Sequence, residues 1–261
     1  MRTIAETGST NADLVVLAAT GAPEGLWLRA ERQTAGRGRQ GRHWVSPAGN
    51  LYASTLVRLR PSDPPAATLA LLTAVAVEEA VRVYLPAPSP FRASGAPSLS
   101  RREMEGAHRA SDGKGEGVLQ IKWPNDVLLG GAKLSGILLE HAGDAVVIGI
   151  GINLAHHPDG LDRAVTSLAA YGAAPDPATF LETLAEVFAR WLARWRGEGL
   201  APVRERWLGR AHPPGTALTA RLPDGEAIEG LFEGLDADGA LILRLADGTR
   251  RVIHAGDVFL L

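Results

Sequence analysis

The chain has 261 residues, a formal net charge of −2 and 46% apolar residues, with a mean hydropathy near zero. This is enough apolar material for one sizeable domain and a small one, and the charge balance argues against a general nucleic-acid binder, which is usually basic overall. With no cysteine there are no disulfides and no thiolate metal sites; no apolar h-region follows Met1 and no apolar run reaches the roughly 18 residues of a membrane span, so a soluble, cytoplasmic protein is expected.

In chain order, Thr10-x-x-Asp13 has the form of a capping box, and a short helix continues over 14–19. Residues 26–31 and 51–58 read as strands. Between them runs Gly36-Arg37-Gly38-Arg39-Gln40-Gly41-Arg42, in which glycine and arginine alternate. Glycine lets the backbone bend and approach a ligand, and arginine offers a planar fork of donors to carboxylate or phosphate oxygens. The segment is a flexible anion clamp or, taken alone, an Arg/Gly tail. Residues 66–84 carry apolar residues at helical spacing, among them Leu69, Leu72, Val75, Ala76 and Val83.

Residues 86–117 are polar and Pro/Gly-bounded, with few large apolar residues, and are expected to be a disordered insertion with no catalytic role. Strands follow at 118–122, 126–129, 133–141 and 145–152, with short connections at Gly130-Gly131 and Gly143-Asp144 that predict antiparallel hairpins. Residues 177–196 predict a helix whose apolar face carries Phe180, Leu184, Val187, Phe188, Trp191 and Trp195 as core. Pro213-Pro214-Gly215 marks a linker. Asp224-Gly225, Asp238-Gly239 and Asp247-Gly248 then punctuate short strands, as in a small β-barrel. The expected fold is α+β: a mixed, largely antiparallel sheet packed with helices over 1–212, and a separate small barrel over 213–261.

Among 27 Lys and Arg residues only Lys114, Lys122 and Lys133 are lysines. Where arginine is so favoured, a retained lysine points to a place that takes a compact ammonium and no guanidinium. Lys122 and Lys133 flank Trp123-Pro124-Asn125-Asp126 and open Lys133-Leu-Ser-Gly136-Ile-Leu-Leu-Glu140. These two runs, with Ser9-Thr10-Asn11, the Gly36–Arg42 loop and Gly149-Ile-Gly151-Ile-Asn153, resemble the motifs of biotin protein ligases in order and near-identical spacing. The resemblance spans nearly the whole chain apart from the insertion.

The resemblance implies a biotin/lipoate ligase-like catalytic domain followed by an SH3-like C-terminal domain. It also implies ATP-dependent formation of biotinyl-5'-AMP and transfer of biotin to a lysine of a biotin carboxyl carrier domain. Lys133 matches the lysine that bridges the biotin carboxylate and the α-phosphate. Arg37 and Arg39 match loop residues that close over biotin and the phosphates, with Gly36 and Gly38 giving the loop its freedom. Arg42 is placed for phosphate, and Lys122 joins the ATP-binding set. Ser9, Thr10 and Asn11 match contacts to the biotin ureido ring, or simply cap a helix. Gln33 matches a further biotin contact. Gly136 and Gly149 allow close packing beside biotin, or mark a bulge. Trp44 and Asn153 match adenine contacts. Asp126 matches the group that binds and deprotonates the acceptor amine, or else pairs with Lys122. Mg²⁺ is expected to screen the phosphates, although the chain carries no ligand motif of its own.

The Ser9-Thr10-Asn11 motif lies so close to Met1 that no winged-helix domain precedes it, so specific DNA binding is not expected. Members without that domain are often homodimers, though no interface stripe stands out here. Two other readings compete: a lipoate or octanoate ligase or transferase, which shares the catalytic fold, and a non-enzymatic Arg/Gly nucleic-acid-binding protein. The Arg/Gly loop and the Lys122–Asp126 run favour biotin. The charge balance and the apolar flanks of the loop disfavour nucleic acid.

Overall fold

The computed structural model describes residues 1–85, 117–161 and 163–261. The expected insertion, except for Gly117, lies outside the described residues. The α+β reading holds. A seven-stranded mixed sheet is built from β1 (Arg2–Thr7), β2 (Trp27–Gln33), β3 (Leu51–Arg58), β4 (Leu119–Lys122), β5 (Asp126–Leu129), β6 (Ala132–Ala142) and β7 (Ala145–Ile152). Its spatial order is β1-β2-β3-β7-β6-β5-β4. Only the β1–β2 pair is parallel; every other neighbour is antiparallel. The glycine connections make the β5–β6 and β6–β7 hairpins as expected, and Gly130, Gly131 and Gly143 all take positive φ.

Strand alternation sorts the sheet into two faces. On one, Leu51, Ala53 and Val57 of β3 and Val146, Ile148, Ile150 and Ile152 of β7 join the main core. That core is completed by α2 (Leu69–Tyr84), α3 (Pro177–Glu198) and α4 (Ala201–Leu208). Helix α2 lies between the sheet and α3 and α4, so it is buried on nearly every side. All six residues expected on the apolar face of α3 are buried. The opposite face carries a smaller cluster of Leu28, Leu56, Ala145 and Val147 against Leu14 and Ala18 of α1 (Thr10–Ala19).

The second sheet holds β8 (Ala217–Arg221), β9 (Ala227–Leu235), β10 (Leu241–Arg244), β11 (Arg250–Ile253) and β12 (Asp257–Leu260), in the order β11-β10-β9-β8-β12. A four-strand meander whose fifth strand returns to the first is the order of an SH3-like barrel. Each Asp-Gly turn seats its glycine at positive φ, between 84° and 92°. The two sheets are joined through buried contacts. Trp123, a core residue, donates its indole N–H to the Gly239 carbonyl at 3.2 Å. Arg204 of α4 donates to the Leu235 carbonyl of β9 through Nε at 2.9 Å and Nη2 at 2.6 Å.

Two local expectations are corrected. The helix cap is Ser9, not Thr10: Ala12 N–H donates to the Ser9 hydroxyl, at a long 3.5 Å. Asp13 instead accepts from the Thr7 hydroxyl at 2.6 Å. The first turn of the expected helix at 66–84 is a separate 3₁₀ turn, Ala66–Thr68, because Pro65 sets the entry. Strand β1 and helix α4 carry no strong period and are not evident in the sequence.

Candidate active site

Strand register alone brings the predicted residues together. Tyr52 of β3 pairs with Gly151, Gly151 with Gly136, Gly136 with Asp126, and Asp126 with Lys122. One residue row thus crosses five strands on the face opposite the main core. The next row up that face is Ser54, Gly149 and Leu138. A regular β6 would turn Lys133 away from this face, since it lies an odd number of residues from Gly136. A bulge between Val127 and Leu128 of the partner strand sets Leu128 opposite Lys133, so both Leu134 and Ser135 are buried and Lys133 returns to the face of Asp126.

The glycines of β7 hollow the floor. A Cβ at Gly149 would fall on the Asn11 amide, 2.8 Å from its carbon, and a Cβ at Gly151 would meet the Trp44 ring at 2.7 Å. Above Gly149 the start of α1 sets out a connected polar array. Gln33 Oε1 accepts from the Thr10 N–H at 2.9 Å and from its hydroxyl at 3.1 Å. The Thr10 and Ser54 hydroxyls lie 2.8 Å apart. Ser54 donates to Asn11 Oδ1 at 2.7 Å, and Asn11 Nδ2 donates to Glu140 at 2.6 Å. Ser9, Thr10 and Asn11 are all buried. The Asn11 amide is therefore held in one orientation by a donor on one side and an acceptor on the other.

At the other end of the row Asp126 lies between two ammonium groups: it forms a charged hydrogen bond with Lys133 and lies 3.6 Å from Lys122. Lys133 is buried, and burial lowers its pKa; the charge and hydrogen bond of Asp126 oppose that shift, while Arg163 and Lys122 add to it. Its ammonium also lies 5.6 Å from the centre of the Trp44 ring. The buried Trp44 indole N–H has no partner among the described residues. Tyr52 donates to the Pro47 carbonyl at 2.8 Å, and burial pushes its pKa up to about 12, so it stays a neutral phenol.

The Arg/Gly segment is a small hairpin closed by the Arg37–His43 bridge and a Trp44 N–H bond to the Gly36 carbonyl at 2.9 Å. A Cβ at Gly36 would come within 2.6 Å of both the Ser46 hydroxyl and the Trp44 carbonyl. Arg37 lies 3.7 Å from Glu140. Arg39 donates through Nη1 to Asn125 at 3.3 Å, to the Gly256 carbonyl at 3.1 Å and to Asp257 at 3.2 Å. Arg42 also pairs with Asp257. One carboxylate of the C-terminal domain therefore meets two arginines of the clamp.

These residues enclose a cleft with two lobes. The inner lobe holds about 1000 Å³ of space including its open mouth, within the range of small-molecule sites. It is lined by Ser9, Thr10, Asn11, Gln33, Arg37, Gly38, Arg39, Arg42, Trp44, Lys122, Asp126, Lys133, Gly136 and Gly149. The outer lobe shares Arg42, Trp44, Lys133 and Arg163 and adds Asn153, Val165 and Arg221. Asn153 thus lines the outer lobe only, with its Nδ2 donating to the Thr166 carbonyl at 3.0 Å. Gly36 lines neither lobe and serves the hairpin. Sequence reasoning missed Tyr52, Ser54, Arg163, Arg221 and Asp257; Glu140 stood in a quoted motif but was given no role.

Residues 9–153 match the biotin/lipoate A/B protein ligase family, and residues 217–261 match the biotin protein ligase C terminal domain. A biotin–[acetyl-CoA-carboxylase] ligase of Paracoccus denitrificans is 42% identical over 98% of both chains. The chain belongs to the biotin protein ligase family. Two solved biotin protein ligases share the fold over nearly all of both chains. The Aquifex aeolicus protein, in complex with biotin and ATP, superposes with a TM-score of 0.79 at 23% identity and covers 100% of this chain and 99% of its own. The Leishmania major protein, in complex with biotinyl-5-AMP, does so with 0.62 at 27% identity, covering 97% and 98%. For a biotin protein ligase two adjoining lobes with one buried lysine between them are chemically apt, because two anionic substrates must react at one point. Among the described residues no helix is long and apolar enough to cross a membrane.

Proposed function

We propose that this cleft joins biotin to ATP and passes the activated biotin to a lysine of a biotin carboxyl carrier domain, with biotin in the inner lobe and the nucleotide in the outer. The observation that carries this reading is Lys133, a buried ammonium lining both lobes. In the first step a biotin carboxylate oxygen attacks the α-phosphorus, a C–O–P bond forms, the bond to the β-phosphate oxygen breaks and pyrophosphate leaves. Two anions approach each other, so a fixed cation is the main requirement. Lys133 meets it, and ligand anions offset the burial that disfavours its charge.

In the second step the neutral acceptor amine attacks the acyl carbon and AMP leaves. Asp126, paired with Lys133, becomes available as proton acceptor once the new anions compete for that ammonium. Ser9, Thr10, Asn11 and Gln33 are assigned to the biotin ring system, with Gly136 and Gly149 beneath it. Arg37, Gly38 and Arg39 form the lid, Arg42 and Lys122 face phosphate, and Trp44 and Asn153 face the adenosine. The unpartnered Trp44 N–H supports a ligand acceptor beside it.

Mg²⁺ would supply charge screening of the phosphates. No cluster of three or more His, Cys, Asp or Glu is found among the described residues, and the two cleft carboxylates, Asp126 and Asp257, are engaged by Lys and Arg. These residues do not make a protein cage, and no step here is routed through the ion. The domain division at 212/213, a cytoplasmic setting with its supply of ATP, and a homodimer belong to the same proposal. Pyrophosphate exchange into ATP, run separately with biotin, lipoate and octanoate, tests the substrate. Biotin should drive exchange; exchange driven by lipoate or octanoate in its place would contradict the assignment.

A further inference from the structure

The outer lobe has a charge pattern that the proposed chemistry has not used. Arg42, Lys133, Arg163 and Arg221 line it, and among the described residues no Asp or Glu does. Arg42 and Lys133 already have carboxylate partners. Among the described residues Arg163 and Arg221 have neither an ion-pair partner nor a side-chain hydrogen bond within the protein. Arg221 lies on β8 of the C-terminal domain, with its guanidinium 5.4 Å from the centre of the Phe259 ring. Phe259 lines both lobes and is half exposed. A guanidinium resting on an aromatic face keeps its donors free while losing rotational freedom. Arg221 also pairs in the sheet with Asp257, the residue that meets Arg39 and Arg42. Docking of the clamp on Asp257 and the position of Arg221 are thus set by one strand pair.

We infer that Arg221 is a binding residue for the two leaving phosphates of ATP, supplied to the catalytic cleft by the C-terminal domain and oriented by Phe259. The inference rests on the reading of the outer lobe as the nucleotide site. Lys133 stands where the lobes meet and suffices for the α-phosphate beside the biotin carboxylate. The β- and γ-phosphates bring further negative charge, which Arg163 and Arg221, without ion-pair partners among the described residues, match. Arg221 is exposed, and what sets it apart from an ordinary surface arginine is its seat on the Phe259 ring and its place in a lobe whose charged lining, among the described residues, is cationic.

Arg221 should therefore act on the part of ATP that leaves and not on the part that stays. In Arg221→Ala the KM for ATP should rise about tenfold or more, the scale of one lost charge-assisted contact, and inhibition by inorganic pyrophosphate should weaken in parallel. The KM for biotin and the release rate of biotinyl-5'-AMP should not change. Arg221→Lys should recover part of the ATP effect, and Phe259→Ala should show a smaller loss of the same kind. Unchanged ATP KM and pyrophosphate inhibition in folded Arg221→Ala would overturn the inference, as would faster release of biotinyl-5'-AMP without a pyrophosphate effect. The wild-type control separates the two levels: if it forms no biotinyl-5'-AMP, the underlying reading fails, whatever the variants do.

Discussion

Replacing Lys133 with alanine should separate its structural effect from its chemical one. Lys133 is buried against Asp126, and removing it leaves a buried carboxylate whose remaining cationic neighbour is Lys122 at 3.6 Å. An incompletely paired buried group costs about 1–3 kcal/mol, and in a chain of this size each kcal/mol lowers Tm by roughly 2–4 °C. Lys133→Ala should therefore melt several degrees lower yet remain folded at 25 °C. The chemical loss is larger. Removal of a preorganised donor at a developing anion costs about 3–4 kcal/mol, or 10²–10³ in rate, and here two anions share the donor. Biotin-dependent exchange of pyrophosphate into ATP measures the chemical effect, thermal unfolding the structural one. Adding Asp126→Asn removes the stranded charge, so the double variant should recover Tm but not exchange. Exchange within tenfold of wild type in folded Lys133→Ala would refute the bridging role, and a double variant no more stable than the single would refute the account of its destabilisation.

Arg39→Gly should still make the adenylate but release it, because activation needs Lys133 while retention needs a clamp tied to Asn125 and Asp257; biotin on the lysines of a bystander protein reports the leak, and labelling no greater than wild type in a variant that still consumes ATP would remove the lid role from Arg39. Gly149→Ala should raise the Kd for biotin at least tenfold with little change in the KM for ATP, since the added methyl falls on the Asn11 amide; titration calorimetry decides, and an unchanged Kd means that Asn11 is not a ring contact. Glu24 accepts two hydrogen bonds from Arg196, at 2.6 and 2.9 Å, and these hold its carboxyl below the usual 4.5. A depressed folded pKa contributes stability above the ordinary value that is lost as pH falls through the folded one. The Tm gap between wild type and Glu24→Gln should thus be full at pH 7 and shrink below about pH 4.5; a constant gap down to pH 3 would show that the charge is not responsible.

Much of the fold could be read because its signals are local. The Asp-Gly turns need positive φ, the face of α3 repeats at helical spacing, and the hairpins of β5, β6 and β7 are set by the Gly130-Gly131 and Gly143-Asp144 turns. The site was legible as motifs, and register explains why they meet: Tyr52, Gly151, Gly136, Asp126 and Lys122 occupy one row. What escaped is non-local or depends on a single step of phase. Asp257 meets Arg39 across more than 200 residues, with no sequence signal of its own. Lys133 faces the cleft because of a bulge that alternation alone does not reveal. Ser9 rather than Thr10 caps α1 because Thr10 is drawn into the Gln33–Ser54 array, a tertiary demand that outweighs the local capping pattern.

The central claim is that one cleft makes and holds biotinyl-5'-AMP before giving it to a carrier lysine. The most direct measurement is a chase. The protein is incubated with biotin, ATP and Mg²⁺, stripped of free ligand by rapid gel filtration, and mixed with a carboxyl carrier domain in the absence of ATP. Intact-mass analysis should show a single biotinyl group on one carrier lysine, in an amount matching the bound adenylate. No bound adenylate, or transfer that still requires free ATP after the filtration step, would contradict the account.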